Sequence, residues 1–114
     1  MAAPLHTAWF NGSFMPLAEV RISPLDRAFL FGDAVYEVIP VHAGQAFLLD
    51  PHLDRLERSL RELGIRNPCR RAEWIDIING LIEQNGGGNL AVYLQVSRGA
   101  DIKRDHAFPP ESVR

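Results

Sequence analysis

The sequence has 114 residues, 46% of them hydrophobic, and its twelve basic residues against fourteen acidic ones leave a formal net charge of −2. That length argues for one domain with room for a core, and the charge balance excludes the basic field that a nucleic-acid backbone requires. The single cysteine, Cys69, excludes intramolecular disulfides and cysteine-rich zinc sites, and it fits a reducing, cytoplasmic setting.

The opening MAAPLHTAWF has no charged start followed by a sustained apolar run, so no secretory leader is expected. No stretch reaches the roughly 18 apolar residues of a membrane span. Lys103 is the sole lysine; the other eleven basic residues are arginines.

Taken in chain order, Thr7–Phe10 and Ser13–Pro16 flank Asn11-Gly12, the favoured dipeptide of a tight hairpin. A further strand is expected from Ala18 to Ile22, then a loop or short turn from Pro24 to Asp33. Ala34–His42 is rich in β-branched residues and reads as a strand. Pro40 withholds a ladder donor, which implies a sheet edge or bulge there. After a turn at Ala43-Gly44-Gln45, a return strand is expected from Ala46 to Leu49.

Residues 51–63 read as a helix, with Asp50 as N-cap, Pro51 in the first helical position and Gly64 after the end. Leu53, Leu56, Leu60 and Leu63 form its apolar stripe, and Asp54–Arg58 and Glu57–Arg61 are i,i+4 pairs on its surface. A second helix is expected from about Arg70 to Asn85, with Trp74, Ile78, Leu81 and Ile82 facing inward and Gly86-Gly87-Gly88 ending it. Leu90–Ser97 alternates with period two and reads as a strand. Strands, two helices and a returning strand give an α+β fold: a two-layer sandwich of mostly antiparallel sheet with two helices on one side.

Several residues are candidates for chemistry. His52 and Arg55 stand at i and i+3 on one helical face, where a guanidinium's planar fork suits a phosphate; the plainer reading is a solvated arginine. Arg104 and His106, beside Lys103 and Asp105, combine a fixed positive charge with an imidazole, a set that traps a carboxylate, or else form an ordinary charged loop. Tyr36 sits in an aliphatic strand, where packing is the common role and a buried hydroxyl needs a partner. Tyr93 shares a polar strand face with Gln95 and Ser97.

His6 and His42 have no partner at metal-ligand spacing, so no metal centre is expected. Cys69 precedes Arg70 and Arg71, neighbours able to lower a thiol pKa, although a lone cysteine at a helix start is more often incidental. The triple glycine leads into a strand, so it reads as a linker and not as a phosphate-cradling loop.

The segment ISPLDRAFLFGDAVYEVI (22–39), followed by FLLDPHLDRLERSLRELGI (47–65), resembles the N-terminal domain of class IV (fold-type IV) aminotransferases. The resemblance runs from about Ala8 to Pro109. YLQVSRG (93–99) followed by KRDHAFP (103–109) is similar to the D-amino-acid (D-alanine) branch.

This resemblance implies pyridoxal 5′-phosphate as cofactor, amino acids and 2-oxo acids as substrates, and a homodimer whose carboxylate trap reaches the neighbouring subunit's site. It assigns the phosphate to Arg55, the substrate to Tyr36, Arg104 and His106, and places His52 and Tyr93 near the site. Family members bind the aldehyde through a lysine of a second domain. Lys103 lies in the wrong segment for that role, and arginine cannot replace a lysine there.

Residues 1–114 are therefore expected to be a small N-terminal domain, part of something larger and inactive alone. Branched-chain aminotransferase, aminodeoxychorismate lyase and a stand-alone binding or oligomerisation domain are the alternatives.

Overall fold

A computed structural model of the chain describes residues 5–100. Strands β1 (Thr7–Phe10) and β2 (Ser13–Pro16) form the N-terminal hairpin. Its turn places Asn11 and Gly12 at positive φ, as the Asn-Gly pair requires. A three-stranded antiparallel sheet follows in the order β4-β3-β5, from β3 (Ala34–His42), β4 (Gln45–Ala46) and β5 (Leu90–Ser97). Two long helices, α2 (Leu49–Leu63) and α3 (Arg71–Gln84), supply the second layer, which agrees with the α+β sandwich expected from the sequence.

Alternation decides the packing. Val35, Ile39 and Val41 of β3 and Val92, Leu94 and Val96 of β5 face inward onto Leu53, Leu56 and Leu60 of α2 and Trp74, Ile78 and Ile82 of α3. Full burial of such side chains contributes about 1.5–3 kcal/mol each. The hairpin docks on α3. The Asn85 side chain accepts from the Thr7 N–H (3.1 Å) and donates to the Thr7 carbonyl (3.0 Å), standing in for a strand partner. Gly80 leaves room for Phe14: a Cβ there would lie 2.9 Å from the Phe14 ring.

Several local expectations need correction. Ala18–Ile22 is not a strand; the chain makes one 3₁₀ turn at Leu17–Glu19 and then runs without regular structure. Within the expected loop lies a short helix α1 (Arg27–Phe31), capped by Asp26, which accepts from the Ala28 N–H (2.9 Å), and closed by Gly32 at φ 66°.

Helix α2 starts at Leu49, with Leu48 in the left-handed region as N-cap, so Asp50 and Pro51 lie in its first turn. Proline is tolerated there because the first helical N–H groups have no intrahelical acceptor. The return strand shortens accordingly to Gln45–Ala46. Leu63 is exposed and Ile65 is buried in the core. In place of i,i+4 pairs along α2, Arg71 of α3 reaches across to Asp54, Glu57 and Asp50 and ties the two helices together.

No helix among the described residues is long and apolar enough to cross a membrane.

Candidate functional site

The site grows out of one position in β3. Glu37 falls on the inward phase of that strand, between Val35 and Ile39, and is only 3% exposed. A buried carboxylate needs partners, and α2 provides two from adjacent turns. Arg55 donates Nε to Glu37 Oε2 (2.9 Å) and Nη2 to Oε1 (2.8 Å), and His52 Nδ1 lies 2.7 Å from Oε1. Burial alone would raise the Glu37 pKa, but the hydrogen bonds from Arg55 and His52 outweigh it and hold the carboxyl below its ordinary value of 4.5. The same contact raises the pKa of Arg55.

The guanidinium is thus fixed on one side and open on the other. Its side chain is 56% exposed, and none of its hydrogen bonds to Glu37 uses Nη1. A planar fork anchored this way presents its remaining donors in a defined direction, the arrangement that suits a phosphate. Arg55 stands between two shallow depressions. One, of about 360 Å³, is lined by Tyr36, Glu37, Val38, Arg55 and Ser59; the other, of about 200 Å³, by Leu48, Pro51, His52 and Arg55.

Strand register brings Tyr36 to the same place. The Arg98 N–H donates to the Asp33 carbonyl (3.0 Å) and the Phe47 N–H to the Pro40 carbonyl (2.7 Å). In an antiparallel ladder these two bonds fix the alternation. Main-chain groups of Val35, Glu37 and Ile39 point to β5, and those of Tyr36 and Val38 point to the opposite edge. Since β4 pairs only with Val41 and His42, that edge is uncovered among the described residues. Pro40 stands at the edge, as its missing donor implies.

The Tyr36 side chain is 64% exposed on the outer sheet face, where it stacks on Tyr93 with ring centroids 5.9 Å apart. Tyr93 Oη donates to Gln95 Oε1 (2.8 Å).

Of the residues singled out in the sequence, Arg55, His52 and Tyr36 therefore come together, and Tyr93 adjoins Tyr36. The plainer reading of Arg55 as a merely solvated cation gives way to the Glu37 clamp. Arg104, His106 and Lys103 lie outside the described residues. At Cys69 the activated-thiol alternative fails and the incidental one stands: burial, with the Glu73 charge nearby, pushes the thiol pKa up, while Arg70 spends its side chain on Glu73. Glu37 was not a candidate at all, although an acidic residue on the core phase of an alternating strand is the signal that finds it.

A family profile described as Amino-transferase class IV matches residues 34–113. The chain belongs to that family. Among relatives of this class IV aminotransferase chain, the D-alanine aminotransferase of Staphylococcus epidermidis is 33% identical over 106 residues, covering 93% of this chain and 37% of the relative. That of Bacillus licheniformis is 40% identical over 99 residues, covering 87% of this chain and 35% of the relative.

Among solved structures, the T.th. branched-chain amino acid aminotransferase complexed with N-(5′-phosphopyridoxyl)-L-glutamate superposes with a TM-score of 0.80 at 25% identity, covering 87% of this chain and 35% of that one. The chain thus spans little more than a third of the length of the curated relatives it matches.

Proposed function

We propose that this chain supplies the anion-gripping half of the active site of a pyridoxal-phosphate-dependent aminotransferase that exchanges the amino group between a D-amino acid and a 2-oxo acid. The observation that carries the reading is the Arg55 fork, locked from behind by Glu37 and open toward the depression that Tyr36 borders. Its donor set fits a phosphate monoester: a permanent cation, directional N–H groups and space beside them. Identity to D-alanine aminotransferases over nearly the whole chain supports the choice of branch.

In this reading Arg55 holds the cofactor phosphate, and Glu37 with His52 keeps the guanidinium from swinging. Tyr36 borders the substrate end of the cleft. Arg104 and His106 bind the substrate carboxylate, with the trap of one subunit serving the neighbouring site of a homodimer. Holding a reactant at both ends in this way lowers the entropic part of the barrier. The bound cofactor supplies the electron sink for proton removal next to the amino group. The amine that binds and moves protons comes from a lysine outside this chain, because Lys103, the sole lysine, adjoins the proposed carboxylate trap. Residues 1–114 then constitute the small N-terminal domain of the enzyme.

A polypeptide joining this chain to its lysine-bearing domain is expected to transfer the amino group of D-alanine to 2-oxoglutarate and to leave L-leucine untouched. Preferential turnover of L-leucine would select the branched-chain reading, which the T.th. neighbour favours. The 114-residue chain alone is expected to be inactive. A stoichiometric spectral change with micromolar pyridoxal phosphate would contradict the assignment of half the binding site to another domain.

A further inference from the structure

The motif DRAFLFGD (26–33) contributes no side chain to the depressions beside Arg55, yet it holds a dense set of buried charges. Arg27 and Arg98 are 3% and 1% exposed. Arg27 Nε and Arg98 Nε both donate to Asp33 Oδ2, at 2.8 and 2.7 Å. Arg98 also donates Nη2 to the Leu63 carbonyl (2.6 Å) and Nη1 to the Gly64 carbonyl (3.2 Å), where α2 ends. One side chain therefore joins the end of α2, the end of β5 and the α1 loop.

Main-chain bonds close the same corner. The Arg27 N–H donates to the Gly99 carbonyl (2.8 Å), and Asp26 and Ala100 form an antiparallel bridge. Ser97 Oγ donates to Asp26 Oδ1 and accepts from the Gly99 N–H (2.9 Å). Asp26 Oδ1 is also the cap of α1. Position and direction of the chain at Gly99 and Ala100 are thus set from both sides by the motif.

The geometry points to a positioning role: Asp33, Arg98, Arg27, Asp26 and Ser97 form a corner that aims the chain leaving β5, so that Arg104 and His106 reach the substrate carboxylate in register. This rests on the carboxylate role proposed for Arg104 and His106 above. Arg104 lies four positions beyond Ala100, a reach of at most about 14 Å for an extended chain, so the exit point limits where its guanidinium can be placed. Carboxylate recognition by a guanidinium is strict in distance and angle. The corner touches neither cofactor nor substrate; it acts through the segment it launches.

The test uses the cofactor-loaded full-length enzyme with D-alanine and 2-oxoglutarate, and measures binding of D-lactate as an unreactive carboxylate. Arg104→Ala is the reference and is expected to weaken D-lactate binding and raise both KM values. If it changes neither, the carboxylate role is wrong and the positioning inference falls with it.

Given that reference, Asp33→Asn and Ser97→Ala are expected to raise KM and the D-lactate dissociation constant about tenfold and about threefold respectively. The cofactor absorbance, the cofactor affinity and kcat should remain within about twofold. Arg98→Lys should recover part of the binding lost in Arg98→Ala. Unchanged KM and D-lactate binding in folded Asp33→Asn and Ser97→Ala would overturn the inference, as would equal losses of cofactor affinity and substrate binding. Should Asp33→Asn fail to fold, the Ser97→Ala result decides alone, because that variant removes only one hydroxyl.

Discussion

Two carboxylates near β3 are built from the same ingredients and serve different ends. Asp33, just before the strand, receives hydrogen bonds from Arg27 and Arg98, both almost wholly buried. Glu37, four residues later, receives them from Arg55 and His52, but Arg55 turns more than half of its side chain to solvent. The first arrangement spends its cations on the protein itself, since Arg98 also binds the carbonyls of Leu63 and Gly64. The second keeps donors in reserve. A buried acid with two basic partners is thus a structural tie or, in the role proposed for Arg55, a binding device according to where the cations' remaining donors point.

Breaking each pair from its cationic side should separate the two roles. Arg98→Ala leaves the Asp33 carboxylate and the carbonyls of Leu63 and Gly64 short of a donor. Loss of one partner of a buried pair costs about 3–5 kcal/mol, so urea denaturation of this variant should show the largest fall in stability. Arg55→Ala should lower the unfolding midpoint less than Arg98→Ala does and, under the phosphate role proposed for Arg55, abolish cofactor retention in the full-length enzyme. Equal stability losses in the two variants would erase the distinction.

Acid should act on both sites with one sign. Burial raises the Asp33 pKa, but the bonds from Arg27 and Arg98 overcome it and hold the carboxyl below its ordinary value of 3.8. Glu37 is likewise held below 4.5. A carboxyl depressed in the folded chain stabilises the fold above its unfolded pKa and loses that contribution as pH falls through the folded value. Neither group should therefore alter stability between pH 7 and pH 5, and both should weaken the fold below their ordinary values. In Glu37→Gln the thermal midpoint should fall less steeply over this acid range than in the parent chain. A slope identical to the parent's would remove Glu37 from the account.

Salt should sharpen the contrast by a smaller margin. Raising ionic strength to about 0.5 M screens charges at the surface more than buried ones. The stability difference between the parent and Glu37→Gln should therefore shrink, while that between the parent and Asp33→Asn stays. The smallest effect is expected on the outer face: Tyr93→Leu removes a ring pair worth about 0.5–1.5 kcal/mol when well packed. With both rings largely exposed, its unfolding midpoint should shift at the low end of that range or below, as scanning calorimetry would register.

Much of this was legible in the amino-acid order, and the failures share a cause. Strands β3 and β5 follow from alternation, and α2 and α3 from the spacing of Leu53, Leu56 and Leu60 and of Trp74, Ile78 and Ile82, because one buried face imposes a period. Arg55 and His52 stand out in the sequence as neighbours on a helix.

Their shared partner Glu37 was missed because its importance arises between elements, fifteen and eighteen residues away in sequence. Asp33 and Arg98, sixty-five residues apart, are further examples. Helix α1 escaped because five residues are too few to display a period, although Asp26 and Gly32 carry its capping signals. The start of α2 was misplaced because Asp50 and Pro51 are as acceptable inside a first turn as before it.

Pro40 has a final consequence for how molecules of this chain meet. The outward edge of β3 offers main-chain donors and acceptors at Tyr36 and Val38, the template on which sheets extend from molecule to molecule. At the next outward position proline has no N–H to give, and its carbonyl is already taken by Phe47. A foreign strand laid along this border would run out of hydrogen bonds after two residues. Such a stub is too short for chain-to-chain zippering, so among the described residues the open border of β3 is guarded against sheet extension.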